Sequence, residues 1–159
     1  MTSHVPVPTA DWLPFVHHRA IFWGDTDPAK IAYTGRFSDF LLEAIESWYR
    51  ARLGTDWSAI TFDEDLGTPF VQMAFEFKSP VTTREPLDIR VLVTKFGRSS
   101  VSYAVRAEGA ESRVLRFTGT ATNVWVKASE MKPIAIPEPY RARIAHEAAM
   151  AAGLVEATT

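Results

Sequence analysis

The chain has 159 residues, 47% hydrophobic and 23% charged, with a formal net charge of −2. That balance describes one soluble domain with enough chain to bury a core, and it lacks the broad basic field of a nucleic-acid binder. The absence of cysteine excludes disulfides, thiolate metal sites and a cysteine nucleophile.

Residues 1–14 carry Pro6, Pro8 and Pro14 without the basic-then-apolar pattern of a secretory signal, and are expected to form a flexible N-terminal segment. No apolar run has the length of a membrane span; a cytoplasmic location with no membrane partner is expected. Alternation from Phe15 to Trp23 predicts a first strand, with Val16, His18, Ala20 and Phe22 on one face and His17, Arg19, Ile21 and Trp23 on the other. His17 and His18 then point apart and cannot ligate one metal, so no metal site is expected. Gly24 to Gly35 has the composition of a loop. From Phe37 the apolar residues Phe40, Leu41, Ala44, Ile45 and Trp48 fall at helical spacing, with Thr34 and Gly35 as caps and Gly54 as the stop.

A loop is expected from Asp56 to Pro69, followed by four strands. Val71, Met73, Phe75 and Phe77 share one face, as do Leu87, Ile89, Val91 and Val93, and then Val101, Tyr103, Val105 and Ala107. Hairpins are expected at Phe96–Arg98 and Glu108–Glu111. The last strand runs from about Arg113 to Lys127, with Gly119 marking a bulge or a close backbone approach. Tyr140 to Ala152 predicts a peripheral helix, and residues 153–159 a frayed tail. Strand, helix and then four mostly antiparallel strands define an α+β class. The economical arrangement is a curved antiparallel sheet wrapped around one long central helix, in a single domain over residues 15–152. Its open edges invite pairing, so a homo-oligomer is expected, a dimer at least and a homotetramer as the next step.

Trp23-Gly24-Asp25-Thr26-Asp27-Pro28 places two carboxylates two residues apart ahead of the helix. Taken alone this hexapeptide reads as a turn. The longer run from Ile21 to Arg50 resembles the opening of the 4-hydroxybenzoyl-coenzyme A thioesterase family, carried by Gly24, Asp25, Thr26, Asp27, Pro28, Ala29, Ile31, Ala32, Tyr33, Arg36 and Phe37. Gly67-Thr68-Pro69 ahead of a strand is similar too, and the likeness covers most of residues 15 to 140. It implies a hotdog fold and a thioesterase that hydrolyses an acyl- or aroyl-CoA (4-hydroxybenzoyl-CoA-like) to the free acid and CoA, at sites formed between subunits. Coenzyme A is part of the substrate, and no cofactor is expected.

The resemblance assigns Asp27 as the catalytic carboxylate, either nucleophile or general base. It assigns an amide near Thr34 or Gly35 to polarise the thioester carbonyl. Helix-start amides and the positive dipole end suit a developing oxyanion, and a thiol leaving group of pKa about 8.5 needs no strong general acid. Asp25 is expected to orient the loop. Thr34 stands where many relatives active on short aliphatic groups have histidine, and Lys30 where many have glycine.

Substrate contacts are expected from Tyr33, Glu43, Gly67, Thr68 and Pro69. Arg98, Ser99 and Ser100, with Lys95, surround a hairpin suited to the phosphates of coenzyme A. Glu43 is the rival carboxylate, because another hotdog branch uses an acid on the central helix. Glu64 and Asp65 read as solvated, within reach of a neighbouring subunit's site. The alternatives are a noncatalytic acyl-CoA-binding module and, less favoured because the loop and helix lack histidine, a hydroxyacyl-thioester dehydratase.

Overall fold

Alternating burial carries the sheet. In β4 (Leu87–Phe96) and β5 (Ser100–Gly109) every second residue is buried over most of the length, the pattern of strands with one face on a core. The two pair antiparallel from end to end. With β1 (Phe15–Arg19), β3 (Phe70–Phe77) and β6 (Leu115–Val124) they make one sheet in the order β1-β4-β5-β6-β3, leaving β1 and β3 as its edges. The structure, a computed structural model, describes residues 12–156; the rest of the two terminal segments expected to be loose lies outside the described residues.

On the inner face lies α1 (Phe37–Trp48), whose Phe40, Leu41, Ala44, Ile45 and Trp48 are fully buried. Each large apolar side chain so buried contributes about 1.5–3 kcal/mol. Gly119 is the close approach that its sequence position suggested. A Cβ there would lie 3.0 Å from Val105 Cγ2, 3.2 Å from the Ala74 carbonyl and 3.3 Å from Leu41 Cδ1, so the helix rests directly on β6.

Several elements differ from expectation for identifiable reasons. The first strand stops at Arg19, and a 3-10 turn occupies Trp23–Asp25, because the Asp25 carboxylate accepts the Phe22 amide at 2.9 Å and bends the chain. Thr34 and Gly35 do not cap α1 with side chains; with Arg36 they form the helix's own 3-10 entry turn. After Trp48 the helix widens into a π-helical turn, Tyr49–Leu53, and ends at Gly54 with φ 71°. That extra width turns the consecutive residues Trp48 and Tyr49 both inward, each 0% exposed. The expected loop from Asp56 to Pro69 contains α2 (Trp57–Glu64), begun by Asp56, whose carboxylate accepts the Ala59 amide at 2.9 Å. It also contains β2 (Leu66–Gly67). The long last strand divides at Trp125, after which β7 (Val126–Lys127) pairs with β2 and with β8 (Lys132–Pro133) in a second, small sheet.

The terminal helix α3 (Tyr140–Glu156) runs past Ala152 and is not peripheral. Ile144 is fully buried, and Glu147 accepts from Trp12 Nε1 at 3.0 Å and from Arg52 at 3.4 Å, which ties residues ahead of β1 to the end of α1.

The turn between β5 and β6 hangs on Glu85. Its carboxylate accepts from Ser112 Oγ at 2.6 Å, the Ser112 and Glu111 amides at 2.9 and 3.0 Å, and Arg116 at 2.7 Å. These bonds, the Ser112 hydroxyl foremost, hold its pKa at about 2, below the ordinary 4.5. The folded protein therefore takes up this proton less readily than the unfolded chain. The stability it contributes is complete above pH 4.5 and lost as pH falls toward 2. Glu85→Gln is expected to flatten the melting-temperature profile across that acid window; a profile as steep as the wild type's overturns this.

Candidate active site

Arg19 organises one end of the sheet. It sits on the inner face of β1 opposite Leu87, with its guanidinium 4.6 Å above the Phe40 ring. Nε donates to Glu43 on α1 at 3.0 Å, while Nη1 pairs closely with Oδ2 of Asp25, and Nη2 reaches Oδ1 at 3.3 Å. Asp25 is 5% exposed. Burial alone would raise its pKa, but the Arg19 hydrogen bonds, the Phe22 amide and the charge of Arg36 bring it below the usual carboxylate value. It is an ionised strut that fixes the loop. Glu43 is engaged by the same arginine and is half-exposed.

On this strut stands a tight turn. The Asp27 amide donates to the Ile31 carbonyl at 3.0 Å, the Lys30 amide to the Asp27 carbonyl at 2.8 Å, and Thr26 bridges Ala32. Asp27 is half-buried; its Oδ1 accepts the Ala29 amide at 2.8 Å, and Oδ2 has no protein partner among the described residues. The Tyr33 amide then donates to the Asp25 carbonyl at 2.8 Å, returning the loop to its start. The entry turn Thr34–Arg36 follows at once, and first-turn amides have no intrahelical acceptor. Phe22, Trp23 and Tyr33 are exposed around this end.

Lys30 holds φ 64°, a left-handed conformation that costs a side-chain-bearing residue about 1–2 kcal/mol. Lys30→Gly is expected to raise stability by about 1 kcal/mol, read as the midpoint of a denaturant melt; a lower midpoint counts against it.

The remaining candidates lie elsewhere. Phe37 packs on Phe77 and Phe117 at 4.8 and 5.0 Å, so the helix start belongs to the Phe77 end of β3. Gly67, Thr68 and Pro69 precede Phe70 at its other end, where Phe70 pairs with Asn123 and the Pro69 carbonyl accepts the Val124 amide. Arg98, Ser99 and Ser100 are at that end too, the Ser99 carbonyl accepting the Trp125 amide at 2.7 Å. Eight strand residues separate the two ends by about 24 Å. Within one chain, Asp27, Tyr33, Thr34 and Gly35 share one loop and helix entry, and the other binding candidates, Gly67 to Pro69 and Arg98 to Ser100, are not brought to them. Glu64 and Asp65 are occupied inside their own chain, Glu64 by the Tyr140 hydroxyl at 2.5 Å and Asp65 by Ser129 Oγ at 2.7 Å. Residue-by-residue reading missed the role of Arg19; the available signal was a permanent charge on the inward phase of β1, beside Phe15 and His17.

An antiparallel sheet against one long helix, with a carboxylate loop at the helix start, is the hotdog architecture, and solved structures share it. A thioesterase-superfamily protein from Jannaschia sp. CCS1 superposes with a TM-score of 0.78 at 38% identity, covering 87% of this chain and 94% of that one. A 1,4-dihydroxy-2-naphthoyl-CoA thioesterase from Synechocystis gives 0.76 at 24% identity, over 82% and 94%, a likeness of fold. A 1,4-dihydroxy-2-naphthoyl-CoA hydrolase from Picosynechococcus sp. is 26% identical over 102 residues, 63% of this chain and 69% of its own. Residues 21–144 match the thioesterase-like superfamily. The chain belongs to that superfamily, and its class of activity is thioester hydrolysis.

Proposed function

We propose that this protein hydrolyses an acyl- or aroyl-coenzyme A, of the 4-hydroxybenzoyl or hydroxynaphthoyl kind, to the free acid and coenzyme A, at sites shared between two copies of the chain. The observation that carries the reading is Asp27: a half-buried carboxylate, one oxygen spoken for by Ala29 and the other without a protein partner among the described residues, on a pinned turn that leads straight into the first turn of the helix. The thioester carbonyl accepts from the amide of Thr34 or Gly35, which stabilises the tetrahedral oxyanion. The free Asp27 oxygen attacks the carbonyl carbon, giving a mixed anhydride that water opens, or it takes the proton of an attacking water. Either way the carbon–sulfur bond breaks and coenzyme A leaves as its thiolate, which takes its proton from Asp27 in the general-base route and from water in the nucleophilic one.

Two copies account for the separated candidates. β3 is an open edge with Val71 and Phe77 exposed, the kind of edge that pairs with its own copy. Antiparallel pairing of β3 about a two-fold axis sets the Phe70 end of one chain against the Phe77 end of the other. Gly67 to Pro69 and the Arg98–Ser100 hairpin of one subunit then approach Asp27 of its partner, where the guanidinium suits the phosphates of coenzyme A.

A thiol-release screen over aliphatic and aromatic acyl-CoA substrates, with sedimentation at the assay concentration, tests both parts. Turnover by a dimer or tetramer is expected. Binding without thiol release identifies a noncatalytic acyl-CoA module, and full activity in a monomer removes the shared site.

A further inference from the structure

The outer face of the sheet carries a cluster of charges that do not balance. In the antiparallel register of β4 and β5, Arg90 stands directly opposite Arg106, and Asp88 directly opposite Glu108. All four alternate with buried residues, Leu87, Ile89 and Val91 on one strand and Val105 and Ala107 on the other, so they share the face turned away from α1. Directly opposed side chains root about 5 Å apart, and like charges so placed destabilise a sheet.

Both carboxylates are spent within the cluster. Arg113, in the turn after β5, donates to Asp88 at 2.8 Å and pairs with Glu108 at 3.0 Å. Arg106 Nε donates to Glu108 at 2.9 Å, and His18 holds the other Asp88 oxygen at 2.7 Å. Arg90 is left over. It has no hydrogen-bond or ion-pair partner among the described residues, and its Nε is buried without an acceptor. Unpaired buried donors are uncommon in a folded protein. Arg90, Arg106 and Arg113, with Asp88, Glu108 and Val16, line a cavity of about 40 Å3, room for the head group of a small ligand. Three cations against two anions leave it with an excess of positive charge. From Arg106 a shallow trough of about 440 Å3 runs on over Ala74, Ala104, Thr118 and Thr120.

We infer that this cavity binds an oxyanion, the phosphoryl or carboxylate group of a small molecule, bridged between the guanidinium groups of Arg90 and Arg106. The planar fork of each guanidinium matches the oxygens of such a group. A negative charge between them turns one repulsive pair into two attractive contacts and supplies the acceptor that Arg90 lacks. A cation meets the excess charge instead, and a neutral group leaves the opposed guanidinium groups unrelieved. The site lies on the opposite face of the sheet from Arg19 and the loop it holds, and β6 separates it from the β3 edge. It therefore stays open in a dimer paired through β3 and does not depend on the thioester chemistry.

Side-chain nitrogen–proton NMR of the full chain reads the site, with the Arg90 Nε signal identified by its loss in Arg90→Met. Sodium phosphate, acetate and butyrate are each titrated against sodium chloride at equal ionic strength. The Arg90 signal is expected to move saturably with phosphate or acetate and to stay in place in chloride. In Arg106→Met, with the near-ultraviolet circular dichroism retained, the dissociation constant is expected to rise about tenfold or more, the usual loss for a hydrogen bond between charged groups. Arg106→Gln takes its place should that variant fail to fold. Saturation by phosphate alone identifies a phosphoryl group, and butyrate binding tighter than acetate identifies an organic carboxylate whose body follows the trough. No saturable shift with any of the three salts, an equal shift in chloride, or a dissociation constant unmoved by the Arg106 variant overturns the inference. So does phosphate that saturates only as an oligomer dissociates in sedimentation, which assigns these arginines to a contact between copies of the chain.

Discussion

Asp27→Asn is expected to lower kcat on the best acyl-CoA substrate by about a thousandfold, the middle of the range for loss of a positioned acid–base or nucleophilic group, or about 4 kcal/mol of transition-state stabilisation. The substitution isolates the charge. An asparagine keeps a carbonyl oxygen where Oδ1 accepts the Ala29 amide, so the turn that carries the residue survives. What disappears is the anionic oxygen that has no protein partner among the described residues. Affinity for the acid product and the melting temperature are expected to stay near wild-type values, which separates chemistry from folding. A variant that folds and turns over at the wild-type rate removes Asp27 from the mechanism and leaves Glu43, already tied to Arg19, as the next carboxylate to replace. Turnover in 18O-labelled water then bears on the two roles: label in the Asp27 carboxylate identifies a nucleophilic Asp27 whose anhydride water opens at the Asp27 carbonyl, because a general base passes label only to the acid released.

Where the fold was legible, one period ran uninterrupted through the element. β4 and β5 alternate almost without fault, and the stripe from Phe37 marked the helical run that ends at Gly54, though its last turn, Tyr49–Leu53, is π-helical rather than α-helical. α2 escaped because it has no apolar face: Ile60 is its one buried residue, and the helix is begun by the Asp56 cap. The π-helical turn escaped because it changes the period itself, and its product, adjacent aromatics both facing inward, contradicts any 3.6-residue stripe. The candidate site divided in the same way. The nearness of Asp27 to Thr34 and Gly35 was legible because a contiguous loop and helix start carry them. That Thr68 and Arg98 belong to the opposite end of β3 depends on pairing between strands distant in the chain, Phe70 with Asn123 and Ser100 with Val124, which no local spacing states.

Arg19→Met is expected to destabilise the protein by about 3–5 kcal/mol at neutral pH, the usual cost of leaving one partner of a buried pair without its counter-charge. Methionine preserves much of the contact over Phe40 and removes the one cation among the described residues within hydrogen-bonding distance of Asp25, Arg36 being 3.9 Å away and half-exposed. The sign with pH follows from the carboxylate. In the wild type the Asp25 pKa lies below the ordinary 3.8, so its contribution is complete above that value and lost as pH falls through the folded-state pKa. Without Arg19, burial dominates and the pKa moves up instead, so the variant is penalised where Asp25 must ionise and relieved where it is protonated. The gap between the two proteins is therefore widest near neutrality and closes below about pH 4. Arg19→Lys is expected to fall between them, because one ammonium cannot serve Asp25 and Glu43 together as a guanidinium does. Thioester turnover should fall more in kcat than in KM, since the loop that aims Asp27 hangs from Asp25. Denaturant melts of the three proteins at pH 3 and pH 7 decide it, and a penalty equal at both would mean that Arg19 acts through packing over Phe40 and not through the charge beneath the loop.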